Sequence, residues 1–190
     1  MGGLSLIRKK LWKKLRVAKG VTTKVVGRKI VRGVLEFILI LAILYFGVSG
    51  ALVLALRTDT YWMAVVSDSM KHDGENWRGY FEMRGDNSYQ FPLQGGFERG
   101  DMLIIQGVSS VAEISIGDVI MFDPGYQQMP LVHRVVDIRN ENGGARLATK
   151  GDGNRGLLTV EMSIKPEQIR GKVGFVIPEL GWLSLWFQGS

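Results

Sequence analysis

The sequence predicts a mainly β domain tethered by an N-terminal transmembrane helix. Two observations carry this. Phe37 to Leu56, FILILAILYFGVSGALVLAL, runs twenty residues without a charge, and at about 1.5 Å per residue such a helix crosses a hydrocarbon core of roughly 30 Å. Beyond residue 60, short apolar runs alternate with Gly, Asp and Pro, the pattern of strands bounded by turns. The charge distribution agrees with this division. The formal net charge of +6 conceals a segment 1–33 with eleven Lys/Arg and no Asp/Glu, followed by an acidic remainder.

Segment 1–33 reads as a basic cytoplasmic stretch. Leu4, Ile7, Leu11, Leu15 and Ala18 recur at helical spacing, with Arg8, Lys9, Lys10, Lys13, Lys14 and Arg16 between them. Such a stretch suits an anionic membrane surface or acts simply as a positive-inside tag. Residues 34–57 follow as the anchor. The positive flank predicts a single-pass protein of the cell membrane, with its N-terminus cytoplasmic and residues 58–190 outside. The apolar run is longer than that of a cleaved signal peptide and starts more than thirty residues into the chain.

Within 58–190, strands are expected at DMLIIQGV, GDVIMFD, LVHRVVDIR, ARLATKG and GKVGFVI. Alternation puts Val132, Arg134 and Val136 on one face of the third run, and Leu131, His133, Val135 and Asp137 on the other. A helical start is expected only near KPEQIR, 165–170. Residues 71–99 form a long polar, Gly-rich insertion, which connections of this length reserve for function or mobility. Residues 178–190 are apolar and hold Trp182 and Trp186, residues that favour a membrane interface and also pack on β cores.

Composition excludes much chemistry. The chain has no Cys and two His, which removes disulfides, thiolate catalysis and Cys-based metal sites; no metal and no cofactor are expected. The acidic body argues against nucleic acid as a partner. A serine remains. VVSDSM, 65–70, places Ser67 and Ser69 just beyond the anchor. A serine hydroxyl becomes a nucleophile when a base takes its proton and donors hold the oxyanion. The base must be His72, His133 or a desolvated lysine. His72 sits in a polar loop where nothing fixes its ring, whereas His133 sits mid-strand on rigid scaffold. Asp152, in TKGDGN, is the best-placed group to orient an imidazole, and Ser67 could lend its hydroxyl to an oxyanion hole beside Ser69.

Taken together, VVSDSM, RGDMLII, IGDVIMF, LVHRVV, TKGDGN and GKVGFVIPELGWLSLW resemble the ordered boxes of type I signal peptidases, in the branch of archaea and the endoplasmic reticulum. The resemblance covers roughly 62–187. It implies a β-rich catalytic domain tethered by an N-terminal transmembrane helix. It also implies a serine endopeptidase that removes signal peptides from exported preproteins, with small residues preferred before the cut. Ser69 falls at the nucleophile, His133 at the base, Asp152 at the aspartate of the Lys-Gly-Asp box, and Ser67 at the oxyanion position. The implied partners are signal peptides of secretory preproteins and the lipid bilayer, with the protein-export translocon a further candidate.

The chain departs from the family pattern. Lys71-His72 follow the Met where many members carry Pro two residues on. Asp68 sets a negative charge beside Ser69, so it must point away or pair. After Asp152 no second acid occurs before Glu161, which leaves a supporting carboxylate unaccounted for. Two alternatives stay open: a Ser-Lys peptidase with Lys150 or Lys71 as base, and a non-enzymatic membrane-tethered β module binding extended peptides or anionic lipid. A serine protease restricted to itself or one regulatory partner is a third.

Overall fold

The computed structural model describes residues 3–72, 76–125, 129–141 and 143–188, with the side chains of the first helix described at Trp12 and from Arg28 onward. The chain divides into two compact units, Met1–Gly50 and Ala51–Ser190.

Helix α1 runs without a break from Gly3 to Leu56. Its segment Arg28–Leu56 is long and apolar enough to cross a membrane, and none of its most apolar window is buried by protein. A lone apolar helix in water would shed this surface; hydrocarbon is the solvent that suits it. The spacing of Leu4, Ile7, Leu11, Leu15 and Ala18 falls on side chains outside the described residues.

The second unit is built on one six-stranded antiparallel sheet. Its strands are β1 (Trp62–Ala64), β2 (Met102–Gln106), β3 (Val119–Phe122), β4 (Leu131–Glu141), β5 (Gly144–Lys150) and β6 (Ile169–Ile177). Their spatial order is β1-β2-β6-β3-β4-β5. All five expected apolar runs became strands. The alternation expected along β4 holds from Leu131 to Val136; there the register against β5 shifts, and Asp137 pairs with Ala148 on the Val136 side instead of the His133 face expected for it. Val132 packs with Leu103, Ile105, Val119 and Met121, and Val136 with Trp77 and Phe81. On the other face Val135 packs with Ile120, Leu147 and Ile164. Both faces of β3 and β4 are covered, so their runs read as nearly continuous apolar sequence.

The two Gly-Asp sites share one device. Gly100 and Gly117 adopt φ of 99° and 95°, a region that glycine enters without steric cost. The aspartate that follows each one accepts from the backbone N–H three residues earlier, Glu98 to Asp101 and Ser115 to Asp118, each at 3.0 Å. Each turn is thus closed before its strand begins.

Three features differ from the expectation. The KPEQIR helix is only a 3-10 turn, Pro166–Gln168, because β6 takes over at Ile169. The 71–99 insertion is packed rather than loose. It holds helix α2 (Asn76–Glu82), whose Trp77 and Phe81 are buried against Val136 and Ala148, while its Phe97 enters the main core. Polar composition hid this, because a few large aromatics supply the burial. The C-terminal apolar stretch forms helix α3 (Gly181–Gln188), with Leu185 buried and Trp186 and Phe187 exposed.

A Cβ on Gly100 would strike the Trp182 ring and would also sit in the strained positive-φ region. Gly100→Ala is therefore expected to lower stability by about 1–3 kcal/mol. Gly79→Ala, in α2 with open space around it, is expected to raise it by roughly 0.4–1 kcal/mol. Thermal unfolding of the two variants in detergent checks both signs.

Candidate active site

Ser69 sits in a turn that its neighbours hold from several sides. Met70 is wholly buried in the main core, and its carbonyl accepts from Phe97 N–H at 3.1 Å. The carbonyl of Ser69 accepts from Gly153 N–H at 2.9 Å. A Cβ on Gly151 would lie 2.8 Å from that carbonyl, and one on Gly153 3.4 Å from it. The glycines around Asp152 thus let two backbones approach closely. Asp68 does point away. Its carboxylate accepts from the Arg99 backbone N–H at 2.9 Å.

The structure brings Ser69 and His133 together. Ser69 Oγ lies 3.0 Å from His133 Nε2, within the reach a base needs. Ser67 Oγ is 3.3 Å from Ser69 Oγ. Asp152 lies elsewhere: the carboxylate against His133 Nδ1 is Glu161. Glu161 is wholly buried. It also accepts from Thr149 Oγ1 at 3.2 Å and from Leu158 N–H at 2.6 Å. Its position follows from local structure. Paired backbone bonds between Leu147 and Ile164 lay the segment along β5, Ile164 is buried beneath, and a 3-10 turn at Thr159–Glu161 turns the carboxylate inward. With Nδ1–H donated to Glu161, Nε2 is left to accept the Ser69 hydroxyl proton.

Asp152 serves the neighbouring residue. Arg134 Nη2 reaches it at 2.8 Å and Arg134 Nε at 3.0 Å, and His72 Nε2 at 2.7 Å. Arg134, wholly buried, also donates to the carbonyls of Pro92, Leu93 and Gly117. The cluster therefore ties the 71–99 insertion to β4. His72 is correspondingly fixed, against expectation. It stacks on Trp77 with ring centroids 4.6 Å apart, and its Nδ1 faces the Gln94 carbonyl at 3.1 Å. Both ring nitrogens of His72 thus have fixed partners. Its proximity to Ser69 in sequence had suggested a free loop; the partners come from residues 94 and 152.

Lys150 pairs in register with Arg134 on β5. Its ammonium donates to the Gly151 carbonyl at 3.0 Å, and burial pushes its pKa down against the pull of Asp152 and Glu161. Lys71 forms an ion pair with Glu98 at 2.6 Å. Ser69 Oγ is hydrogen-bonded to His133 Nε2, not to either lysine. Beside Ser69 lies an apolar cavity of roughly 230 Å³, lined by Met63, Val65, Phe97, Leu103, Leu131 and His133 among others. Pairing Ser69 with a strand histidine was legible in the sequence. Glu161 was passed over because it lies nine residues beyond Asp152; its only signal was being the first acid after that box.

Burial pushes the Asp152 carboxyl up, but the hydrogen bonds from His72 and Arg134 and the Arg134 charge outweigh it and hold the carboxyl below its usual range. A carboxylate depressed in the folded state adds stability above its unfolded pKa of about 3.9, and that stability is lost as pH falls through the folded value. Asp152→Asn is expected to cost about 3–5 kcal/mol at pH 7, because Arg134 is left buried without its carboxylate. The gap between wild type and variant should shrink as pH drops below about 4. Denaturant unfolding of both proteins across pH 3–7 measures it.

No family model matches the chain. Similar sequences are the signal peptidase complex catalytic subunits SEC11 of Saccharomyces cerevisiae strains YJM789, RM11-1a and JAY291. Each is 32% identical over 101 residues, which cover 50% of this chain and 59% of the relative. The chain thus spans less than two thirds of the relatives it matches. Across half its length the chain is similar to the catalytic subunit of a signal peptidase complex.

Proposed function

We propose that this protein is a membrane-anchored serine endopeptidase that removes signal peptides from exported preproteins. The observation that carries the reading is one buried histidine bridging a serine hydroxyl and a buried carboxylate: Ser69 Oγ to His133 Nε2 at 3.0 Å, and His133 Nδ1 to Glu161. Similarity to SEC11, whose name describes the catalytic subunit of a signal peptidase complex, supports the same substrate class.

In this mechanism His133 takes the Ser69 proton as Oγ attacks the scissile carbonyl carbon. The oxyanion is met by the Ser69 backbone N–H and the Ser67 hydroxyl. His133 then gives its proton to the leaving amine, the C–N bond breaks, and an ester on Ser69 remains. Water, deprotonated by His133, hydrolyses that ester and restores the serine. Glu161 holds the imidazole in the tautomer with Nδ1–H and stabilises the imidazolium. Asp152 acts as a positioning residue through Arg134 and the Ser69 turn, and does not touch the base.

Substrate geometry fits. β1 is the edge strand of the sheet and its chain runs on through Val65 and Val66 into Ser67–Ser69. An extended peptide adding along such an edge is led to the nucleophile, and a cavity of roughly 230 Å³ with apolar walls admits small aliphatic side chains. In the proposed orientation the basic segment 1–33 is cytoplasmic, residues 34–57 span the cell membrane, and the β unit faces outward. The bilayer, the translocon and the other subunits of a complex are its proposed neighbours.

Preprotein cleavage in liposomes tests the reading. The wild type should cut at the signal-peptide junction. Ser69→Ala and His133→Ala should each lose several orders of magnitude in kcat. Cleavage that survives His133→Ala but not Ser69→Ala would move the base to Lys150.

Two carboxylate variants separate the acids. Glu161→Gln is expected to lower kcat by roughly 10³–10⁴, as loss of a tautomer-holding carboxylate does. Asp152→Asn should act mainly through stability. Ser67→Ala is expected to cost about 10²–10³ in kcat, and unchanged turnover would remove it from the oxyanion hole.

A further inference from the structure

The Ser69–His72 segment separates two cavities of opposite chemistry. Ser67 and Ser69 line the apolar one. Lys71 and His72 line a second, of roughly 680 Å³, with Trp77, Tyr80, Lys150 and Arg155 among its other walls. We propose that this second cavity receives the mature-side residues of the substrate, two to four positions past the scissile bond, and selects an acidic side chain there. The inference rests on the peptidase reading above.

Charge accounting supports the sign. Asp152 is neutralised by Arg134, and Lys71 by Glu98. Glu82 sits exposed on the rim, where solvent screens it. Arg155, also exposed, has no hydrogen bond or ion pair among the described residues. Lys150 is buried to 8% exposure, and among the described residues its three N–H donors share one hydrogen-bond acceptor, the Gly151 carbonyl. A carboxylate entering the cavity would meet a desolvated ammonium with donors to spare and a guanidinium at the mouth.

Distance and polarity give the side of the cut. Lys71 and His72 follow Ser69 by two and three residues. At about 3.3 Å per residue, an extended substrate reaches them within a few positions of the bond. The signal-peptide side is apolar and suits the cavity of Met63, Val65 and Phe97; the mature side is polar and suits the one holding Lys150.

The test is a preprotein series with Asp, Asn or Lys at each of the second to fourth mature positions, cut by the full chain in neutral-lipid liposomes. The wild type should favour Asp over Lys by roughly three- to tenfold in kcat/KM, mostly through KM, and less so at high salt. Arg155→Glu should reverse the order, favouring Lys, an exchange that a general loss of fold cannot produce. Lys150→Met should flatten the ranking. Cleavage that ignores the charge at these positions overturns the inference and leaves the peptidase reading standing. An Arg155→Glu effect equal for all substrates, or one appearing only with anionic vesicles, also overturns it and points to lipid headgroups. If the wild type cuts no preprotein, the peptidase reading fails and the inference falls with it.

Discussion

Two adjacent residues of β4 each claim a buried carboxylate, and the site depends on the fact that they cannot share one. Successive side chains on a strand leave on opposite faces. His133 therefore meets Ser69 and Glu161 on one side, while Arg134 meets Asp152 and the carbonyls of the insertion on the other. A buried guanidinium without a carboxylate would be costly, so Arg134 commits Asp152. The imidazole is then left to a second acid, which only the chain beyond β5 can supply.

The two histidines illustrate the same division. His72 faces a carboxylate and a carbonyl, which fix its ring in place. His133 faces a carboxylate on one nitrogen and a hydroxyl on the other, and is built to exchange a proton. His72 belongs to the framework that holds the 71–99 insertion against β4, with Trp77 between its ring and the guanidinium of Arg134. The insertion thus closes over the back of the Ser69 turn.

That turn is positioned by packing from behind. Met70 fills the core, Gly151 and Gly153 let the Lys-Gly-Asp-Gly backbone press against the Ser69 carbonyl, and Asp152 N–H meets the Met70 sulfur at 3.4 Å. The hydroxyl of Ser69 is left on the opposite side, toward His133 and the apolar cavity. Rigidity of this kind is what a pre-organised nucleophile requires, since small displacements of reacting groups are costly.

By itself, the sequence determined whatever depends on periodicity, composition and chain order. It placed the apolar helix, five of the six strands, the alternation along β4 as far as its bulge and the pairing of Ser69 with His133, because each follows from a short pattern or from scarcity of alternatives. It also required Asp68 to be held away from Ser69. Only the tertiary structure decided which acid faces which base. Asp152 and Glu161 are both carboxylates near β5, and their partners are set by side-chain direction and by the backbone bonds of Leu147 with Ile164. The same holds for α2, whose polar sequence buries Trp77 and Phe81 only because β4 and β5 offer Val136 and Ala148 to pack against. Local pattern carries no record of such contacts: His133 and Glu161 are 28 positions apart, and Arg134 and Asp152 18.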